Sequence, residues 1–201
     1  MISRLRYKRA SEPEEFAQIH RLNYRTFVQE IPQHPPNGEG LLIDRFHEEN
    51  AYAICLDGEQ LVGMVAVRAR RPFSLDLKLA DLDVYLPAGH RVCEARLLVI
   101  EHNYRNRAIL PGLIRQVDLI RKNMGCTLAV ISATTRQLKL YTHLGFVPFG
   151  PLVGTQEARF QPMYLTEQTF LTRIATTCRR AFAFDPNADA LFWPSEDGDR
   201  R

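Results

Sequence analysis

The sequence lacks the long apolar runs that membrane proteins have. None of its runs reaches the roughly 18 residues that a membrane-spanning helix needs. The first residues, MISRLRYKRASEPEEF, contain no apolar segment of the kind found in secretory signals. We therefore expect a cytoplasmic protein without a membrane span.

Cysteine and histidine are scarce, and their spacing does not suit a metal site. The six histidines lack paired spacing, and none of the four cysteines forms a CxxC pair. The cysteines are Cys55, Cys93, Cys126 and Cys178. Since three of them lie in or beside apolar runs, we expect buried, reduced thiols, no disulfide framework and no metal.

Charge of one sign is not in large excess. The 26 Lys and Arg residues against 23 Asp and Glu give a net charge of only +3, which is too small to predict a nucleic acid partner. Local basic clusters such as RARR at 68–71 still suit an anionic ligand. Hydrophobic residues make up 45% of the 201 positions, which is typical of a globular chain with one well-buried domain.

The first predicted element is a helix. Ser11 and Glu14, with Pro13 between them, have the spacing of a capping box, and the helix is predicted to run to about Val28. One helical face collects Phe16, Ile19, His20, Asn23 and Phe27. Because two polar groups lie on this otherwise apolar face, it is expected to supply them with partners or to border a cleft.

A β-hairpin is predicted after a long loop. Residues 29–40 hold three prolines and two glycines and predict the loop, and a short helical piece is expected at about 41–49. The runs AYAICL and EQLVGMVAVRA then flank Asp57-Gly58, a pair typical of tight hairpin turns. Residues 70–91 show no clear period and are expected to cross the surface of the protein.

The second half predicts a strand–helix–strand unit. VCEARLLVI at 92–100 and TLAVISA at 127–133 are apolar enough for buried strands. The helix between them, about 107–123 and closed by Gly125, is marked by the apolar series Ile109, Leu113, Val117 and Ile120. Since such a crossover joins parallel strands, the fold class is α/β with a mixed sheet.

A second helix and two further strands are predicted next. LKLYTHLG begins at 138 with Thr134 or Thr135 as its cap, and GFVPFG and ARFQPMYLT follow as strands. Residues 167–183 are predicted to be helical, before an acidic tail. We therefore expect one domain at 1–166 and a C-terminal extension at 167–201, which could act as a linker.

Two segments of the second half resemble a known superfamily. LLVIEHNYRNRAILPGLIRQV, followed by LAVISATTRQLKLYTHLGFVPFG, resembles the Gcn5-related N-acetyltransferases (GNAT). In that superfamily a buried strand enters a loop that binds the pyrophosphate of the donor, and a later helix ends Tyr-x-x-x-Gly-Phe. The resemblance covers about 14–165 and implies a GNAT-like α/β fold and an acyltransferase.

Further similarity points to one branch of the superfamily. HRLNYRTFVQE and LIDRFHEENAYAICLDGEQLVGMVAVRARRPF resemble segments of acyl-homoserine-lactone synthases and N-acyl amino acid synthases. Where that branch has an arginine, a second aspartate and Glu-x-Ser-Arg, this chain has Asn23, His47 and Glu94-Ala95-Arg96-Leu97. These changes undermine S-adenosylmethionine as the acceptor. The resemblance therefore implies acyl transfer from acyl-CoA or acyl-ACP to the amine of a small molecule such as an amino acid.

The resemblance also implies a donor site. The strand backbone at Leu98, Val99 and Ile100 would hold the pantetheine arm and offer an N–H group to the oxyanion. The phosphate-binding loop corresponds to Arg105, Asn106, Arg107, Ala108, Ile109 and Leu110. In the usual loop, two glycines let the backbone come close to the ligand. In this chain, alanine and leucine fill these two positions. Backbone N–H groups at a helix start suit phosphate, and the two arginines either add charge pairing or only solvate the helix start.

Tyr141 and Glu94 are the candidate catalytic residues. Tyr141 lies just before Gly145, where the tyrosine of the family reaches the donor sulfur and protonates the departing thiolate; the alternative is a core aromatic. Glu94 is the candidate base for the ammonium of the acceptor. The alternative for Glu94 is a buried carboxylate paired with Arg96 or Arg91.

The acceptor site is expected near the first helix. Its candidates are Asn23, Phe27, Asp44, His47 and Arg96. Asp44 and His47 would share a face if 41–49 is helical, and the alternative is a solvated helix face. The apolar residues Phe73, Leu75, Leu77 and Leu79 either line an acyl tunnel or pack on the core.

Two other functions are compatible with the sequence. A catalytically degenerate GNAT domain would bind an acyl thioester or small ligand and regulate a partner. The filled glycine positions favour this reading, whereas the retained Tyr141 favours the enzyme. The extension at 167–201 also leaves open a fusion to, or an association with, another enzyme domain, and acyl carrier protein is a candidate partner.

Overall fold

The computed structural model describes residues 5–31, 33–105, 109–155 and 158–169. Its strands are β1 (Leu5–Arg9), β2 (Ala51–Asp57), β3 (Gln60–Arg68), β4 (Val92–Ile100), β5 (Leu128–Thr134), β6 (Val147–Pro148), β7 (Val153–Gly154) and β8 (Arg159–Thr166). Its α-helices are α1 (Pro13–Tyr24), α2 (Ile109–Asn123), α3 (Leu138–His143) and α4 (Glu167–Thr169). The strands form one mixed sheet in the order β1-β2-β3-β4-β5-β8-β6, with β7 paired to β8.

Helix α1 starts one residue later than its predicted capping box. The carboxylate of Glu15 accepts hydrogen bonds from the backbone N–H groups of Ser11 (2.9 Å) and Glu12 (3.1 Å) and pairs with Lys8 (2.8 Å). The predicted pairing of Ser11 with Glu14 is therefore wrong, because the buried Glu15 and not the exposed Glu14 faces the preceding turn. After Tyr24 the helix continues as a π-helical segment, Arg25–Glu30, slightly beyond the predicted end.

The predicted hairpin is confirmed, and it has a neighbour that the sequence reading missed. β2 and β3 pair antiparallel around Gly58, whose φ of 61° suits the tight turn. β1 pairs antiparallel with β2 at the edge of the sheet. Its only signal in the sequence is the alternation of Leu5 and Tyr7 between charged residues.

The predicted strand–helix–strand unit is also confirmed. β4 and β5 are parallel, with Val92 opposite Leu128 and Glu94 opposite Val130. Their pairing stops at Glu94, although both strands continue. Just beyond this point β4 carries a bulge, because the three residue steps from Arg96 to Val99 lie opposite only two residue steps of β3. Leu97, inside the bulge, has a φ of 54°.

The helices cover the two faces of the sheet. On one face α1 packs with Ile19 and Leu22 over β2 and β3. On the other face α2 packs with Ile109 and Leu113 over the same strands. In the described part of the chain, no helix is long and apolar enough to cross a membrane. Cys55, Cys93 and Cys126 are buried free thiols, as predicted, while Cys178 lies outside the described residues.

The segment at 70–91 packs on the core. Its buried apolar residues are Phe73, Leu75, Leu79 and Leu82, and they contact Leu128 and Val130 of β5. Leu77, in contrast, is exposed. Of the two alternatives for these side chains, core packing is the one observed.

One predicted helical segment needs correction, and another is only partly described. Residues 41–49 form only one 3₁₀ turn, His47–Glu49, because the carboxylate of Asp44 captures the backbone N–H of Phe46 at 2.9 Å. α3 begins after a 3₁₀ turn that follows Thr134, one of the two predicted caps. Only Glu167–Thr169 of the predicted 167–183 helix is described; the rest of that helix and the tail lie outside the described residues.

The contact between α2 and β1 gives a test of the fold. A Cβ atom at Gly112 would lie 2.2 Å from Cζ of Tyr7. We expect Gly112→Ala to lower the free energy of unfolding by about 1–3 kcal/mol, because the helix or the ring must shift. Thermal and urea unfolding measure the change, and Gly38→Ala, in open space, is the control. Equal stability of the two variants would contradict close packing at this site.

Candidate active site

The divergence of β4 and β5 opens a cavity of about 520 Å³. Its wall includes residues from both faces of the sheet: Asn23 and Asp44 lie on the α1 side, and Ile114 and Val117 lie on the α2 side. The cavity therefore passes through the sheet at the point where the ladder between the two strands ends. On its β5 side, β4 has no strand partner after Glu94 in the described part of the chain.

The α1 side of the cavity is polar. Its lining includes Asn23, Asp44, Arg45, Lys78, Arg96 and Ser132. Nη1 of Arg96 donates to the carboxylate of Asp44 at 3.0 Å, and Asn50 donates to the same oxygen at 3.1 Å. The Asp44 side chain is only 8% exposed and that of Arg96 18%, so this ion pair forms a fixed part of the wall.

Phe46 organises the arginines around this ion pair. The guanidinium carbons of Arg45, Arg68 and Arg96 lie 4.6, 3.7 and 4.9 Å from the centre of its ring. These distances are those of cation–π contacts. Arg68 is fully buried and pairs with Glu49, so it holds the turn that carries Asp44 against β3.

Asn23 reaches the cavity from α1. Its side chain is 1% exposed, and its Nδ2 donates to the carbonyl of Leu42 at 3.4 Å. Its Oδ1 has no hydrogen-bond partner among the described residues. Phe27 lines the cavity beside it. A buried acceptor of this kind suits an N–H or O–H group of a ligand.

His47 lies elsewhere. Its ring centre is 4.5 Å from that of His20, and its Nδ1 lies 3.1 Å from the hydroxyl of Tyr52, under α1. His47 is not part of the cavity wall. The expectation that it shares a helical face with Asp44 is wrong, because the segment between them is a turn. A role for His47 in acceptor binding stays a prediction.

Glu94 is buried and holds the 70–91 segment. Its oxygens accept hydrogen bonds from the backbone N–H of Ser74 at 2.9 and 3.0 Å and from the Ser74 hydroxyl. The alternative for Glu94, an ion pair with Arg96 or Arg91, is not observed among the described residues, and Arg96 pairs with Asp44 instead. Ser74 lines the cavity and Glu94 does not. A role for Glu94 as base stays a prediction.

Lys78 is a residue that the sequence reading missed. Its Nζ lies 3.4 Å from the hydroxyl of Ser132 and 4.6 Å from the ring centre of Phe160, at the cavity wall. Burial lowers the pKa of Lys78, and Arg96 and Arg45 lower it further against the opposite effect of Glu94. Only the tertiary fold brings this lysine, from a segment without clear period, to β5.

Tyr141 lines the cavity near the divergence of the strands. Its ring packs edge-on against Phe146, with 5.8 Å between the centres. Burial raises the pKa of Tyr141, so the hydroxyl keeps its proton at neutral pH. This hydroxyl has no hydrogen-bond partner in the parts of the chain that the structure describes. It is therefore available to donate to a ligand.

The predicted donor residues lie at the end of β4 and the start of α2. Leu98 lines the cavity, the side chain of Val99 is buried on the α1 side, and the carbonyl of Ile100 accepts from Nε of Arg105 at 3.0 Å. Ile109 is buried in the core and Leu110 is partly exposed. Asn106, Arg107 and Ala108 lie outside the described residues.

Arg105 already has an anionic partner. Its Nη2 lies 2.6 Å from Oε2 of Glu30, and its Nη1 bonds the other oxygen, so the pair is bidentate. This pairing raises the pKa of Arg105 and lowers the pKa of Glu30. Arg25 pairs in the same region with Glu101 at 2.6 Å.

Comparison with known proteins supports one family. The family model of N-acyl amino acid synthase FeeM matches residues 18–167. No curated protein matches the chain. The structure of FeeM, an N-acyl amino acid synthase from uncultured soil microbes, is 17% identical with a TM-score of 0.64, over 90% of this chain and 99% of FeeM.

Two further solved structures share the fold. The CoA-dependent acyl-homoserine lactone synthase BjaI is 19% identical with a TM-score of 0.67, over 81% of this chain and 83% of BjaI. An acyl-CoA N-acyltransferase from Pseudomonas aeruginosa is 14% identical with a TM-score of 0.56, over 80% of this chain and 99% of that one. The GNAT-like α/β fold and the branch inferred from the sequence are thereby confirmed.

The ion pair in the cavity wall can be tested without a ligand. Asp44→Asn keeps the shape of the side chain but leaves Arg96 without its carboxylate. We expect it to lower the free energy of unfolding by about 2–3 kcal/mol, because breaking a partly buried ion pair leaves the remaining charge without a partner. Glu59→Gln, at a side chain that is 95% exposed, is the control and should unfold like the unmodified protein. Equal stability of both variants would show that the pair does not hold the wall.

Proposed function

The chain belongs to the N-acyl amino acid synthase FeeM family and is an N-acyltransferase; on this basis we propose that it transfers an acyl group from a phosphopantetheine thioester to the amino group of an amino acid. The cavity through the sheet is the observation that carries this proposal. It has a polar, largely cationic side and an apolar side, and the edge of β4 and Tyr141 lie between them. This arrangement suits a polar acceptor and an apolar acyl chain that meet at one thioester.

The charges on the α1 side support an amino acid as acceptor. Arg45, Lys78 and Arg96 line this half, whereas Asp44, the one carboxylate among the described residues that line it, is already paired with Arg96. The excess of positive charge suits the carboxylate of the acceptor. The unpartnered Oδ1 of Asn23 would accept a hydrogen bond from its amine.

The chemistry that we propose is direct aminolysis of the thioester. The neutral amine attacks the carbonyl carbon, a C–N bond forms, and the C–S bond breaks. Backbone N–H groups of β4 near Leu98 would stabilise the oxyanion, since that edge of the strand is not used in the sheet. Tyr141 would give its proton to the departing sulfur, and the amine proton would return to solvent or to a base.

Acyl-CoA and acyl carrier protein are both compatible with the donor site that we propose. BjaI is described as CoA-dependent. Both donors present the same phosphopantetheine arm, and the arm would lie along β4 toward Arg105. The alternative, a degenerate GNAT domain that only regulates a partner, is not favoured, because the family match and the unpaired hydroxyl of Tyr141 both support an enzyme.

Tyr141→Phe tests the reaction. We expect kcat to fall roughly 10- to 1,000-fold, because the general acid is lost. The melting temperature and donor affinity should stay the same, because the hydroxyl makes no hydrogen bond in the described structure. Release of free thiol from acyl-CoA with a panel of amino acids measures the rate, and Tyr85→Phe, outside the cavity, is the control. A variant with normal kcat would show that Tyr141 is a core aromatic only.

Arg105 and Glu30 form a matched pair of sites for a test of donor binding. If Arg105 binds the donor phosphates, Arg105→Ala should raise the dissociation constant of CoA roughly tenfold, the effect of losing one charge-assisted contact. Glu30→Gln should lower it, because the competing carboxylate is removed. Isothermal titration measures both constants. Unchanged affinity in both variants would contradict this role of Arg105.

A further inference from the structure

The inner face of α2 changes character along its length. Ile114, Val117, Asp118 and Arg121 have the spacing i, i+3, i+4 and i+7, so they lie on one face of the helix, and all four line the cavity. The first two are apolar and the last two are charged. A helix that packs on a sheet usually keeps such a face apolar throughout. The two buried charges therefore need an explanation.

These charges lie at the deep end of the cavity. α2 connects two parallel strands and so runs antiparallel to them, and its later residues lie toward the strand starts. Nη1 of Arg121 donates to the carbonyl of Cys126, just before β5 begins. From Ile114 to Arg121 the helix rises about 10 Å. Tyr141 and the bulge of β4 lie at the opposite end, where the strands diverge.

Three charged side chains that line the cavity form a cluster at this deep end, and Asp118 also pairs with Lys122 at 2.9 Å. Nη2 of Arg121 lies 2.6 Å from Oδ1 of Asp118 and 3.6 Å from Oε1 of Glu167, which directly follows β8. The side chain of Arg121 is 5% exposed, that of Asp118 14% and that of Glu167 42%. Glu167 is thus the member nearest to solvent and the most loosely bound to the arginine.

Between Tyr141 and the cluster the wall is apolar. The residues on the α2 side there are Val65, Ile114, Val117, Ala129, Leu144 and Leu165. An acyl chain that enters from the thioester would pass along them, and among the described residues on this side the first polar groups it would meet are those of Asp118 and Arg121.

We propose that the cluster of Asp118, Arg121 and Glu167 ends the acyl channel and sets the longest acyl chain that the enzyme accepts. This inference rests on the proposed function. Each methylene buried along the apolar wall favours binding by up to about fourfold. A methyl end that reaches the cluster instead displaces water from charged groups and offers no hydrogen bond in return. The preference for longer chains therefore reverses at this point.

The cluster also has a structural role, which the test must separate from this one. Arg121 ties the end of α2 to the turn before β5, so its substitution would affect stability as well as the channel. Glu167 is the better site for substitution. Glu167→Ala leaves the pair of Arg121 with Asp118 and the bond to Cys126 in place, removes one charge, and opens space at the end of the channel.

The experiment measures kcat/KM over straight-chain acyl-CoA donors from acetyl to palmitoyl, with one amino acid acceptor. The unmodified enzyme should show a rise with chain length and then a steep fall. Glu167→Ala should move this fall to longer chains. For the first donor that the unmodified enzyme rejects, kcat/KM should rise roughly tenfold, which corresponds to the burial of about two methylenes. Glu59→Ala, at the exposed hairpin turn, is the matched control and should leave the profile unchanged.

A polar-ended donor separates charge from volume at the channel end. An acyl chain of the first rejected length that carries a terminal hydroxyl should be a better substrate of the unmodified enzyme than its unsubstituted equivalent, because the hydroxyl can bond to Glu167. If Glu167→Ala and the unmodified enzyme give superimposable profiles, the inference is wrong. If neither acyl-CoA nor acyl carrier protein donors give any turnover with any amino acid, the proposed function itself fails.

Discussion

The bulge of β4 is the constraint on which the candidate site depends. At Leu97 the backbone has a positive φ, which residues other than glycine rarely adopt. At this bulge β4 has one residue more than the stretch of β3 opposite it. β4 turns away from β5 as a result, and the ladder between these two parallel strands stops after Glu94. Strained backbone of this kind persists only where its surroundings hold it. Here Val99 and Ala95, on opposite faces of β4, are packed in separate parts of the core.

The gap between the strands joins the two sides of the sheet, and each side has its own chemistry. On the α1 side, α1 brings Asn23 to the gap, and the loop after the π-helical segment brings Asp44 and Arg45. Cation–π contacts to Phe46 hold Arg45 and Arg96 in place. On the α2 side regular helical packing provides an apolar wall at Ile114 and Val117, which ends at the charged Asp118 and Arg121. An amide bond between a charged small molecule and an apolar chain can form where these two surfaces meet. Neither surface alone would select both the polar and the apolar reactant.

The sequence predicts the parts of the structure that short-range physics determines. Hydrophobic periodicity marked β4, α2 and β5, and Asp57-Gly58 marked the hairpin. Four of the five proposed acceptor residues line the cavity: the predicted face of α1 places Asn23 and Phe27 there, whereas Asp44 reaches it from a turn that the sequence predicts as a helix. The bulge at Leu97, the contact of Glu94 with Ser74 and the position of Lys78 could not be predicted in this way. Each depends on a segment distant in sequence, and the segments that supply these partners, such as 70–91, have no period.

The segment that we propose to bind the donor phosphates lies beside two arginines that already have anionic partners. Leucine occupies one of the two glycine positions, and the nearby arginines are held by carboxylates, Arg105 by Glu30 and Arg25 by Glu101. These side chains are about 40–50% exposed on the arginine side, so each pair contributes little to stability. An incoming phosphate would have to displace Glu30 from Arg105, so Arg105 would contribute less to donor affinity than an unpaired arginine. Under the proposed function, donor affinity would then come mainly from contacts with the edge of β4 and with the proposed acyl channel. The thioester and its chain, more than the nucleotide, would determine which donor binds.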